Sequence, residues 1–408
     1  MEVLHPRCAG LDVHKDVIVA CVRCVTAPQH REVRSFGSTT SELLALSDWL
    51  AEHGCTDVAM EATGVYWKPV WHVLEDEFEL VLANPQHIRN VPGRKTDVND
   101  ATWIAELLAH GLIRPSFVPP GPIQELRDLT RTRKQLVREV AQHSLRIQKV
   151  LEDANLKLGS VLSNVLGKSG RAMLRAIIDG ENDPSTLADL AQGTARHKTA
   201  ELREALRGRI TSHHRDMLRL HLQVVDALQS TLDELDANLG KALAPIRNSA
   251  RLLTTMPGVS DLTANVIVAE IGVDMARFPT PGHLLSWAGM CPRNDESAGK
   301  RRSTRLRLGG YWLKATLVTA AWAAVRVKTS YFHAQFLRIK ARRGGKKAVL
   351  AVAASMLTAA YHMLRDGTEY HDLGVGFFDQ RDRTKTINRL LKRLDDLGYL
   401  PQPQPQTA

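Results

Sequence analysis

No stretch of eighteen consecutive apolar residues occurs in this chain, and its first residues lack the charged-then-apolar pattern of a secretory leader. Neither a membrane-spanning helix nor an export signal is therefore expected, and the reading is of a protein that works without a membrane, in the cytoplasm of a bacterial-type cell. Cysteine is scarce too: there are five, and only Cys21 and Cys24 have zinc-like spacing. That pair falls on an expected strand, where residues three apart point to opposite faces. Neither a second pair nor a suitable histidine follows to complete a tetrahedron, so all five read as free thiols.

Acidic residues are nearly missing from one region. Between Cys291 and Lys347 fifteen Lys and Arg face two acids, an excess of thirteen that exceeds the whole chain's formal charge of +10. The rest of the chain is slightly acidic, and the positive charge is local. An ordinary surface interleaves both signs. Such a concentration favours a polyanion through counterion release, with binding that weakens as salt rises.

At 408 residues the chain has room for two or three domains with cores of their own. Residues 1 to about 115 alternate strands and helices. The pattern predicts a hairpin from Cys8–Val13 and Val17–Val22, a strand Arg31–Phe36, and a helix Ser41–His53 with Thr39 and Glu42 spaced as a capping box. Strand Asp57–Met60, a helix Tyr66–Leu74 and strand Phe78–Ala83 follow, which makes this part α/β. After the break Phe117–Pro122, residues 116–250 read as a helical connector. It holds a long helix from about Ile123 to Ala154 and a heptad seam from Val225 to Ile246. The seam is expected to pair antiparallel with the first long helix, around an insertion at about 155–199. In that insertion Lys168-Ser169-Gly170-Arg171 reads as a solvated helix terminus. Residues 251–370 read as a helical domain, and 371–408 as a tail whose Pro-Gln repeat should be disordered.

Four carboxylates carry the chemistry. Asp12 ends the first strand, Glu61 ends a later one, and Asp97 and Asp100 open a helix, Asp97 as its expected N-cap with Asp100 on the same face. Hard cations such as Mg²⁺ want several oxygens of this kind, and ions held there can activate one oxygen and stabilise another in phosphoryl transfer. Further on, Met256-Pro257-Gly258-Val259-Ser260 between two apolar helices has the form of a helix-hairpin-helix, with Gly258 permitting the tight turn and the next helix offering free N–H groups to a phosphate. Downstream, Trp312 and Trp322 lie in an apolar helix Tyr311–Val327 and read as core, and Arg338–Lys347 reads as a flexible basic hinge.

The motifs Gly10-Leu11-Asp12-Val13-His14-Lys15, Glu61-Ala62-Thr63-Gly64-Val65-Tyr66 and Lys95-Thr96-Asp97-Val98-Asn99-Asp100, followed by Met256-Pro257-Gly258 and Ala288-Gly289-Met290-Cys291-Pro292-Arg293, occur in one order. With them the chain resembles insertion-sequence transposases whose N-terminal domain is RuvC-like with a DEDD carboxylate set. That group includes Piv-type DNA invertases and bridge-RNA-guided recombinases. The resemblance covers roughly residues 5–155 and 250–365. It implies an α/β RNase H-like domain, then the helical connector, then a mostly α-helical domain carrying the helix-hairpin-helix element and a serine nucleophile. It also implies Mg²⁺ on Asp12, Glu61, Asp97 and Asp100, DNA donor and target sites as partners, a homo-oligomer, and in some members a structured guide RNA. The family's serine matches Ser297, which lies in a polar, Gly-containing loop with Lys300, Arg301, Arg302, Arg305 and Arg307 after it. The family pattern has Gly directly after the serine, whereas here Ala298 intervenes, and Ser303 remains an alternative nucleophile. A RuvC-like nuclease using water and a noncatalytic DNA-binding protein are the competing functions.

Overall fold

The computed structural model describes residues 2–25, 29–62, 64–91, 99–292, 295–297, 300–303, 306, 310–381 and 383–399. It divides into two compact units, residues 1–118 and 119–408. A five-stranded mixed sheet occupies the first, and the described residues are 63% helical.

In the first unit, β1 (Arg7–Val13), β2 (Val17–Cys24) and β3 (His30–Gly37) form an antiparallel meander. Helix α1 (Thr40–Glu52) leads to β4 (Asp57–Glu61), which lies parallel to β1, and α2 (Trp67–Leu74) leads to β5 (Glu79–Ala83), parallel to β4. The order β3-β2-β1-β4-β5 puts the two acid-bearing strands side by side in the middle and is compatible with an RNase H-like domain. Two short helices complete the unit, α3 (Pro85–Asn90) and α4 (Asp100–Ala109).

Strand alternation divides the sheet between two cores. Ala9, Leu11, Val13, Val58 and Met60 pack with Leu46, Trp49 and Leu74 of α1 and α2. Cys8 and Ala59, on the opposite face, pack with Ile104 and Leu107 of α4. Gly10 lies directly beneath that helix, where a Cβ would collide with the Ala101 carbonyl oxygen and the Ala105 amide. Only glycine lets α4 approach β1 this closely.

Two expected caps are corrected. Thr39 precedes α1 without a side-chain cap; Glu42 instead reaches back to accept from the Gly37 amide at 3.2 Å, and the Thr39 and Ser41 hydroxyls bond each other. The N-cap of α4 is Asn99, whose Oδ1 accepts from the Ala101 amide at 2.8 Å, rather than Asp97, which lies outside the described residues. The helix therefore starts at Asp100.

The second unit begins with α5 (Gly121–Asp153), a 33-residue helix. It is followed by α6 (Leu158–Val161), α7 (Lys168–Asp179), α8 (Pro184–Asp189), α9 (Thr199–Ala205) and α10 (Ser212–Ala242). Helix α10 runs antiparallel to α5 within the chain: Arg133 meets Asp236, His143 meets His221, and Asp153 meets His214. The expected pairing of the heptad seam is the observed one. Residues 155–199 are a packed cap on this pair, with Leu158, Met173, Ile177 and Leu187 fully buried against Ile147 and Leu222. Arg171 is tied to Asp226 there, so the basic element at Lys168 is in part structural.

The remaining helices are α11 (Arg247–Leu253), α12 (Asp261–Ile271), α13 (Pro281–Trp287), α14 (Tyr311–Ala324), α15 (Tyr331–Arg343), α16 (Gly345–Asp366), α17 (Phe377–Arg381) and α18 (Arg383–Asp396). Between α13 and α14 stands a two-stranded hairpin, β6 (Asp295–Ser297) and β7 (Lys300–Ser303). The basic stretch expected as a flexible hinge is instead the last turns of α15 and the first of α16, separated only at Gly344, whose φ is +80°. Among the described residues α16 alone is long and apolar enough to cross a membrane; Val352, Ala353, Met356, Leu357 and Ala360 along it are fully buried, as in the core helix of a folded domain.

Candidate active site

The sheet register brings two of the acids together. Leu11 of β1 lies beside Met60 of β4, so the next residues, Asp12 and Glu61, come side by side, Glu61 as the last residue of β4 and Asp12 as the last but one of β1. Alternation places both on the face that carries Cys8, Gly10 and Ala59, the face covered by α4. Asp100, the first residue of α4, directly precedes Ala101, which sits over Gly10. Three acid-bearing positions thus lie at one end of one sheet face, on three elements. Asp97 lies outside the described residues.

The Asp12 side chain is only 16% exposed and is contacted by His14 Nε2 at 3.2 Å from Oδ2. No signal in the sequence beyond the His14-Lys15-Asp16 turn marked His14 as its partner. The three carboxylates are not drawn into a tight cluster; among the described residues, the one group of three candidate ligands with donor atoms within 4.8 Å of one another is His30, Glu32 and His53.

Ser297 is not in an open loop, as expected, but at the end of β6, with Lys300 as its cross-strand partner. Ser303 stands opposite Asp295 at the other end of the same hairpin, and Arg301 stands opposite Glu296. A further bridge, Pro292 to Leu306, continues the pairing. The backbone thus separates the two candidate serines, one at the turn and one at the base. Arg302 lies on β7, whereas Arg305 and Arg307 fall outside the described residues.

The hairpin returns to α14 through Gly310, whose φ is +52° and whose Cβ would strike the Ala288 carbonyl. Gly258 has a comparable constraint: φ is +82°, and a Cβ would collide with the Ala320 carbonyl and the Ala324 amide of α14. Close helix packing thus accounts for glycine at 258. The following helix α12 is capped by Ser260, which accepts from the Thr263 amide at 3.3 Å.

A cationic group that the sequence did not single out lies where α5 meets the start of α14. The guanidinium of Arg131, the ammonium of Lys134 and the guanidinium of Arg138 stand 5.8, 5.6 and 5.5 Å from the Trp312 ring centroid. Arg138 also donates to the Tyr311 hydroxyl at 3.0 Å. Burial, and then the neighbouring Arg138, push the Lys134 ammonium below its ordinary pKa. Tyr311 is exposed, and Trp322, expected in the core, is 43% exposed with its ring edge against Phe336. Deeper in, Glu270 at the end of α12 takes a bidentate pair from Arg131, both contacts 2.8 Å, and Arg127 donates to the Glu270 carbonyl at 2.6 Å. The Glu270 side chain is 2% exposed, so this pair ties α5 to α12 from inside.

A transposase family model of the DEDD IS110 type matches residues 9–156, and one described as "Transposase IS116/IS110/IS902 family" matches residues 250–337. The chain is 26% identical over 363 residues to a transposase for insertion sequence element IS1111A of Coxiella burnetii, covering 84% of this chain and 85% of the relative. It is 27% identical over 313 residues to an uncharacterized 43.6 kDa protein of insertion element IS110 from Streptomyces coelicolor, covering 68% and 73%. A 42 kDa protein of insertion element IS900 from Mycobacterium paratuberculosis is 25% identical over 327 residues, 72% and 80% of the two chains. The chain is therefore a transposase, a DNA recombinase by class. It belongs to the IS110 family of insertion-sequence transposases.

Proposed function

We propose that this transposase cuts and exchanges DNA strands through a covalent phosphoserine, with a Mg²⁺-dependent carboxylate site at the end of the sheet and Ser297 as the nucleophile. The observation that carries the reading is the convergence of Asp12, Glu61 and Asp100 at one end of one sheet face. Their donors are carboxylate oxygens, the hard ligands Mg²⁺ prefers, and Asp97 would complete a set of four. When bound, such an ion supplies positive charge at phosphoryl oxygens and lowers the pKa of a coordinated oxygen.

In this mechanism the Ser297 hydroxyl attacks phosphorus, the Oγ–P bond forms as the P–O3′ bond breaks, and the serine proton ends on the departing 3′ oxygen. Lys300, beside Ser297 across the hairpin, and Arg301 and Arg302 beyond it offer charge to the phosphate. Lys134 and Arg138 offer charge to neighbouring phosphates, Arg305 and Arg307 are assigned the same role from their place in the basic sequence, and exposed Tyr311 gives a ring on which a base can stack. The turn at Gly258 leads into α12, a further backbone contact to DNA as in a helix-hairpin-helix. The carboxylates and the serine belong to separate units, with residues 251–370 as the serine-bearing part, so a homo-oligomer on paired DNA sites can build each centre from different protomers. A structured RNA from the same element would occupy the same basic surface and choose donor and target. The setting proposed is the cytoplasm.

The test is denaturing electrophoresis after incubation with labelled DNA and Mg²⁺. A protein–DNA adduct is expected from the natural chain and none from Ser297→Ala. Free cut ends that survive Ser297→Ala mean a water-using nuclease, and intact DNA throughout means a binding protein. An adduct that persists in Ser297→Ala and disappears in Ser303→Ala moves the nucleophile six residues. Neutralising Arg301, Arg302, Arg305 and Arg307 together should flatten the slope of log affinity against log salt by about three to four units.

A further inference from the structure

On the outer edge of the sheet, far along β3 from any carboxylate used above, three side chains of another chemistry meet. His30 and Glu32 are two apart on the edge strand and share a face, and His53 follows the last turn of α1. Both His30 Nε2 and His53 Nε2 lie 3.4 Å from the same oxygen, Glu32 Oε2. The two imidazoles are stacked, with centroids 5.7 Å apart and planes 11° from parallel. His53 Nδ1 is 2.8 Å from the Trp49 carbonyl, which can only accept, so Nδ1 carries a proton and Nε2 is the nitrogen turned to Glu32.

At 3.4 Å both imidazole–carboxylate contacts are longer than a charge-assisted hydrogen bond and match the separation of ligand atoms around one ion. With Zn–N and Zn–O bonds of about 2.0–2.2 Å, tetrahedral geometry sets ligand atoms roughly 3.3–3.5 Å apart. A backbone carbonyl that holds the far nitrogen of a ligating histidine is the usual means of fixing its tautomer. A fourth ligand is available on the same sheet face, outside the group of three whose donor atoms already lie within 4.8 Å of one another. Cys24 is the direct cross-strand partner of His30 in the β2–β3 ladder, so its side chain lies on the same face. The C-x-x-C spacing of Cys21 and Cys24 is not the relevant pattern, since Cys21 is fully buried; the hairpin instead sets Cys24 against a histidine six residues on.

We propose that His30, Glu32 and His53, with Cys24 as fourth ligand, form a structural site for a borderline transition cation of the Zn²⁺ class. The ion would pin the C-terminal end of α1 to the edge strand β3. Imidazole, thiolate and a single carboxylate select zinc over Mg²⁺, so the site is chemically distinct from the carboxylates at Asp12.

The test uses the full chain without DNA, titrated with Zn²⁺ in the presence of excess Mg²⁺ and, separately, with Co²⁺. One equivalent of Zn²⁺ should bind and raise the melting temperature, and Co²⁺ should give the visible bands of a tetrahedral ion. His30→Ala, whose side chain is half exposed, should lower Zn²⁺ affinity by more than the roughly 100-fold that loss of a supporting contact costs, and His53→Gln should do the same. Cys24→Ser should retain Co²⁺ binding but lose a near-ultraviolet thiolate band. Asp12→Ala should leave the titration unchanged, which separates this site from the proposed catalytic one. No Zn²⁺ binding, or binding of equal strength and stoichiometry in both histidine variants, overturns the proposal. Binding that needs both histidines but shows no thiolate band in the natural chain overturns the Cys24 assignment.

Discussion

The two candidate catalytic groups of this chain are positioned by opposite means. Asp12, Glu61 and Asp100 sit at the rim of the central strands β1 and β4, which are buried on both faces, and their neighbourhood is fixed by strand register and by the helix seated on Gly10. Ser297 sits on a two-stranded hairpin, and such a ribbon has no core of its own. What holds it is the helical body at its ends, through the turn at Gly310 against Ala288. A metal site needs several ligands held at fixed separations, which a sheet supplies. A nucleophile that must meet a phosphate delivered by DNA needs only a firm base, and a hairpin on a rigid helical frame supplies that.

The contrast can be broken at its strongest point by Glu270→Ala. This removes the buried partner of Arg131 and Arg127, and leaving those guanidinium groups uncompensated should cost the second unit about 3–5 kcal/mol. Thermal unfolding of the full chain should then show an early transition for residues 119–408, while the first unit melts as before. A uniform shift of both transitions would mean that the units do not unfold separately.

A smaller cost and a sharper functional contrast are expected from the glycines. Gly10→Ala and Gly258→Ala each drive a Cβ into helix backbone and should destabilise by roughly 1–3 kcal/mol. Gly10→Ala should also abolish DNA cleavage at temperatures where the protein is folded, because it lifts Asp100 away from Asp12. DNA affinity should be retained. Equal loss of cleavage and affinity in that variant would show that the carboxylates and the binding surface are not separable.

Asn99→Ala should cost about 1 kcal/mol, the usual loss for an N-cap, and should fray the turn that begins with Asp100. Chemical denaturation of the variant measures it; an unchanged midpoint would place the cap elsewhere.

The smallest effect concerns pH. Burial, and then the charges of His143 and Arg146, hold His221 of α10 below its ordinary pKa of 6.5. The unfolded chain therefore takes up a proton that the folded chain resists. Stability from this group is intact above 6.5 and declines as the pH falls below it. The melting temperature of the second unit should drop more on acidification in the natural chain than in His221→Gln. Parallel curves would remove His221 as the cause.

Much of this could be read along the chain because it rests on local pattern. Alternating apolar residues marked the strands, and the heptad seam of α10 found its antiparallel partner α5, since a stripe of that width must be buried somewhere. The acids at strand ends were legible because a polar residue closing an apolar run is a local signal. The caps were not: Asp97 and Asn99 are both good N-cap residues, and which one is used depends on where α4 must start to seat Ala101 on Gly10. Trp322 was misread because a run of Ala and Val looks buried on every side, although only one face of α14 meets the body.

The sequence by itself determined the alternation of strands and helices, the local surplus of positive charge and the set of carboxylates available for chemistry, since each depends on neighbours within a few residues. Only the tertiary structure decided that Leu11 would lie beside Met60, so that Asp12 meets Glu61, and that Cys24 would face His30. Register is a long-range quantity: a shift of one residue turns every side chain to the other face, and the choice is made by what must be buried across the whole sheet.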